Sequence, residues 1–128
     1  MDKKTKSQYY TITLEKALNL LIDSDRCSRL FAESVKSLIE KYKDIKDWND
    51  SPLPDYMDSY LNAKVLKDFM QKKIEQPDDK LVEFATKNNI KGVLLTANEL
   101  SLLQSLVNNH EEGKEYMNKT YGFSTMLN

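Results

Sequence analysis

The chain has 128 residues, of which 40% are apolar and 30% charged, with a net charge of −1. That balance describes one domain able to bury a core unaided, and excludes disordered, collagen-like and disulfide-built chains. Charge is spread evenly, and Arg26 and Arg29 are the only arginines among nineteen basic residues, so bidentate phosphate or guanine contacts are scarce and nucleic acid is not the expected partner.

Residues 1–8 are polar and are expected to fray. Tyr9, Tyr10 and Ile12 read as a short extended lead-in. Thr11 or Thr13 can cap a first helix, Leu14 to Asp23, whose apolar positions Leu14, Ala17, Leu18, Leu21 and Ile22 keep the helical period. Asp23-Ser24-Asp25 is expected to break the chain. A central amphipathic helix follows at about 26–46, with Cys27, Leu30, Phe31, Val35, Leu38, Ile39, Tyr42 and Ile45 on one stripe.

Lys46 to Ser51 reads as a loop around Trp48. Pro52 and Pro54 suit the first turn of a third helix, Pro52 to Glu75, where a missing N–H costs nothing. Pro77 ends it, and Asp78-Asp79 opens a fourth helix at about 77–88. Asn88-Asn89 supplies a residue that tolerates the left-handed conformation. Val93-Leu94-Leu95 could be a strand but has no evident partner, so it is read as coil. Thr96-Ala97-Asn98-Glu99 is a capping box opening a fifth helix to about Asn109. A short sixth helix is expected from Glu111 to Lys119, and Gly122 then frees an apolar tail over 121–128. These elements predict an all-α fold: a single compact domain, 1–128, of five or six helices around the central helix.

Chemical motifs are sparse. Cys27, the only cysteine, heads an apolar stripe and is expected to be a buried, inert thiol. One cysteine makes no internal disulfide and points to a reducing, cytoplasmic setting. The apolar run Leu20-Leu21-Ile22 is cut off by Asp23, so neither a leader nor a membrane span is expected. His110, the only histidine, is expected at a helix end on the surface. One His and one Cys far apart in sequence do not suggest zinc. Asp47 to Asp58 resembles a calcium loop in its first positions, but Pro52 stands where the loop needs a residue of positive φ. No metal and no cofactor are expected. With no phosphate loop and no catalytic serine context, neither is enzymatic activity.

The expectation that remains is protein–protein interaction, of inhibitor, immunity or adaptor type. The lysine and asparagine bias suggests a low-GC bacterium, a phage or another mobile element. Tyrosine and tryptophan favour interfaces because they pair a large apolar body with a polar tip. Tyr116, Tyr121, Phe123, Met126 and Leu127 near the C-terminus, with Trp48, Tyr9 and Tyr10, are the candidate partner-binding residues. The C-terminal tail is also a candidate for self-association. The alternative is a DNA-binding regulator using a helix-turn-helix-like segment at 81–107, and a second alternative is a helical enzyme.

Overall fold

A computed structural model describes residues 9–123. The elements in order are strand β1 (Tyr9–Ile12), helix α1 (Leu14–Lys41), a 3₁₀ turn (Trp48–Asp50), α2 (Leu53–Glu75), α3 (Asp79–Lys87), β2 (Val93–Thr96) and α4 (Ala97–Tyr121). The fold is largely helical, but it holds four α-helices among the described residues, not five or six. Two expected pairs of helices are each one continuous helix.

The first of these is α1. Thr13 caps it, its hydroxyl accepting from Lys16 N at 3.1 Å. The helix runs straight through Asp23-Ser24-Asp25, residues that often end helices by capturing backbone groups. Here their side chains have other partners. Ser24 Oγ donates back to Leu20 O at 2.7 Å, and Ser28 Oγ to Asp25 O at 2.8 Å, so both hydroxyls are satisfied inside the helix. Asp25 meets Lys67 of α2 at 3.1 Å, and Asp23 faces α4. The helix also stops at Lys41, short of the expected 46, and Tyr42 N bonds to Leu38 O.

The second continuous helix is α4. Its capping box is present: Glu99 N donates to Thr96 Oγ1 at 3.1 Å, and Thr96 N donates to Glu99 Oε1 at 3.0 Å. No break occurs at Glu111–Gly113. A Cβ on Gly113 would stand 3.5 Å from Asn62 Nδ2 and 3.7 Å from Ser59 Oγ, so α2 and α4 approach closely there. The helix ends at Gly122, whose φ of 75° is the left-handed cap.

The extended lead-in and the supposed coil are partners. Tyr9 to Ile12 pairs antiparallel with Val93 to Thr96, in the register Tyr9–Thr96 and Ile12–Val93. Gly92 permits this: its φ is 111°, and a Cβ there would lie 2.5 Å from Ile12 O. Asn89 takes the left-handed turn after α3, with φ 53°. Because β2 lies between α3 and α4, no short turn joins those helices.

Helix α1 packs along α2, and α4 lies on another flank of α2, antiparallel to it. Among the described residues the core has two apolar clusters. One gathers Ala17, Leu66, Met70, Val93, Leu95 and Leu103, beside the sheet. The other gathers Cys27, Phe31, Ala63, Met117 and Phe123, at the far end. Between them, α1 and α4 meet through polar side chains. No helix of the described residues is long and apolar enough to cross a membrane.

Candidate functional site

The polar layer is built on Asp23. Its Oδ2 accepts from His110 Nε2 at 2.8 Å and from Lys114 Nζ at 3.0 Å, both from α4. Its Oδ1 accepts from Arg26 Nη2 at 3.1 Å. Lys114 also reaches Glu111 Oε1, one turn back, at 3.3 Å. The His110 hydrogen bond holds the Asp23 carboxyl well below the usual carboxylate range, against burial, and Lys114 adds to it. Burial works against the Lys114 ammonium, but Asp23 and Glu111 keep its pKa above the ordinary value.

His110 is therefore not a surface residue at a helix end. It is 2% exposed, in the middle of α4. The signal was in the spacing: Leu103, His110 and Met117 recur every seven residues and are the three buried positions of that helix. Cys27 is buried as expected, one turn from Asp23 on α1. Burial, and then the charge of Asp23, push its thiol up to about 11. Such a thiol is protonated at neutral pH and is a poor nucleophile. The donor atoms of Asp23, Cys27 and His110 nonetheless lie within 4.8 Å of one another.

A second feature is open to solvent. A groove of about 490 Å³ runs between α2 and α4, lined by Asp55, Asp58, Leu61, Asn62, Asn109, Glu112, Gly113 and Tyr116. Tyr116 and Leu61 are 49% and 48% exposed. Tyr116 is nevertheless held in place, its hydroxyl donating to Asp55 Oδ2 at 3.0 Å. Val65 follows Leu61 one turn along α2, also exposed, and Phe69 follows one turn later, half-buried. The Lys73–Glu99 ion pair at 2.9 Å and the Asn62–Gly113 approach set the register of the two helices. In that register exposed Leu102 and half-buried Leu106 of α4 fall beside the Phe69 level. Phe69 and Leu106 both pack against the core cluster beside the sheet.

The expected partner-binding residues divide between two ends of the molecule. Tyr116, Tyr121 and Phe123 come together at the end where α2 begins. Tyr121 donates to Asp55 Oδ2 at 2.7 Å, and its ring lies 5.0 Å from that of Tyr56. Phe123 is only 7% exposed, edge-on to Phe31 at 5.7 Å and Tyr56 at 5.6 Å, so it belongs to the core. Trp48 sits on the 3₁₀ turn just before α2, exposed. Tyr9 and Tyr10 are at the other end on β1. The ring of Tyr9 lies against Phe84 at 4.7 Å, while Tyr10 is exposed. Met126 and Leu127 lie outside the described residues.

A third depression, under α3, has walls that include Leu81, Ala85 and Ile90 with Lys73, Thr86 and Asn89. Lys73, at its edge, has its ammonium engaged by Glu99, which sits below the usual carboxylate range: burial opposes ionisation, but the Thr96 N–H and Lys73 outweigh it. The chain matches no protein-family model, and no significantly similar curated protein or solved structure is found.

Proposed function

We propose that this protein acts by binding another protein, as an inhibitor, immunity or adaptor module in a reducing cytoplasm, and not as an enzyme. The observation that supports this reading is the α2–α4 groove with the exposed apolar side chains on its two helices. Leu61, Val65 and Leu102 are large apolar side chains left in water on neighbouring helices. Scattered exposed apolar residues need no explanation, but several on the two helices that wall a groove suit an interface. Tyr116 suits an anchor because Asp55 already fixes its ring, so little side-chain freedom is lost on docking. Asp58 and Glu112 give the groove acidic walls, which favour a partner that inserts a basic side chain between apolar contacts.

The test is capture from cells of the source organism with three forms of the protein: wild type, Leu61→Glu with Tyr116→Ala, and Lys36→Ala on the outward face of α1. A partner held by wild type and Lys36→Ala, and lost by the groove variant at unchanged melting temperature, supports the reading. A partner held equally by all three removes the groove from it. A second copy of the chain would appear as a change in sedimentation of wild type that the groove variant lacks. The DNA-binding alternative would present Asn98, Ser101, Gln104 and Ser105, all exposed, with no cation among them. A DNA shift that weakens steeply with salt would favour it instead.

A further inference from the structure

We propose that Asp23, Cys27 and His110 form a binding site for one zinc-type transition-metal ion, clamping α1 to α4. The three residues offer a carboxylate oxygen, a sulfur and a ring nitrogen, all within 4.8 Å of one another. Bonds of about 2.0–2.3 Å in a tetrahedral zinc site place donors roughly 3.3–3.8 Å apart, so closure requires a shift of about 1 Å. Asp23 and Cys27 are separated by one helical turn on α1, and His110 arrives from α4, so the ion would bridge two helices. This mixed donor set suits zinc or cobalt and does not suit magnesium or calcium, which take oxygen ligands. Asp23 and Lys114 also line an open depression on the surface between α1 and α4, through which water can supply the fourth ligand.

The charges balance in both states. Without an ion, the Asp23 carboxylate is matched by Lys114 at 3.0 Å. When a divalent ion enters, the Cys27 thiol gives its proton to solvent and a sulfur–metal bond forms. Thiolate and carboxylate then neutralise the ion. The neutral imidazole must change tautomer: the proton that Nε2 donates to Asp23 leaves to solvent and Nδ1 takes one up, so that Nε2 offers the ion a bare lone pair. Lys114 must leave Oδ2, and it has somewhere to go, since Glu111 Oε1 is already 3.3 Å away. Arg26, the remaining cation on Asp23, binds the other carboxylate oxygen. Nothing in this proposal depends on the α2–α4 groove.

The test is titration of the full chain with cobalt(II), read by absorption, with zinc as competitor. The expected result is saturation at one equivalent, with the visible bands of a tetrahedral site and a sulfur-to-cobalt charge-transfer band, both erased by zinc. Cys27→Ser should lose the charge-transfer band, and Lys114→Met should bind cobalt at least tenfold more tightly because it removes the competing ammonium. Zinc should also raise the melting temperature of wild type, because a ligand held only by the native state stabilises it. The wild-type spectra do not depend on whether any variant folds. Absence of both bands in wild type at a large excess of cobalt would overturn the proposal. A charge-transfer band that persists in folded Cys27→Ser would do the same.

Discussion

Replacing Asp23 probes the polar layer between the two apolar clusters. Asp23→Ala strands the Nε2–H of His110, a group 2% exposed. An unsatisfied buried donor costs about 1–3 kcal/mol. Lys114 keeps Glu111 as a partner, and Arg26 is half exposed, so their losses add little, about 0.5 kcal/mol between them. The sum is a destabilisation of about 1.5–3.5 kcal/mol. Asp23→Asn keeps an oxygen where His110 donates but loses the charge and the acceptor for half-exposed Arg26, so it should cost about 1 kcal/mol. Urea unfolding followed by circular dichroism measures both. The pH dependence carries the sign. The carboxyl is depressed in the folded state, so the stability it contributes is present above the unfolded value, about 3.9, and is lost as pH falls through the folded value. The advantage of wild type over Asp23→Asn should therefore shrink as the solution is acidified below about pH 4. An Asp23→Ala protein within about 0.5 kcal/mol of wild type would refute the reasoning, because His110 could not then be relying on that oxygen.

Two glycines should respond in opposite directions. Gly92→Ala forces a Cβ against Ile12 O at a φ of 111°, so it should destabilise by about 2 kcal/mol or more, with a matching fall in melting temperature. Gly113→Ala meets only ordinary contacts inside a helix and should stabilise by about 0.5–1 kcal/mol; a loss of stability there would mean that the helices cannot accommodate even a methyl group. Phe123→Ala empties the space beside Phe31 and Tyr56 and should cost about 3 kcal/mol in denaturant unfolding, whereas an unchanged midpoint would show that the ring is not part of the core.

The helical fold was legible because its signals are local. The capping box at Thr96, the proline start of α2 and the stripe through Cys27, Phe31 and Val35 all act within a few residues. What failed depended on partners distant in sequence. Asp23-Ser24-Asp25 looks like a helix stop until His110, Lys114 and Lys67 are seen to take the carboxylates. Val93 to Leu95 looks like coil until Tyr9 to Ile12 lies beside it, a pairing that spans most of the chain. Of the candidate residues, Tyr116 and Trp48 could be read as exposed aromatics, but Phe123 could not be told from them, because only the fold brings Phe31 and Tyr56 to its ring. The groove itself was not legible, since Leu61 and Val65 are as apolar as the buried positions of α2, yet the face that packs runs through Ser59, Ala63, Leu66 and Met70 and leaves them in water.

Site-specific photo-crosslinking tests protein binding through the α2–α4 groove most directly. A photoreactive side chain is placed at Leu61, at Tyr116 or at Lys36, and the full chain is irradiated in cells of its source. The groove reading predicts one discrete adduct from positions 61 and 116 and none from position 36, with the position-61 adduct abolished by Tyr116→Ala. Equal adducts from all three positions, or an adduct from position 36 alone, would contradict it.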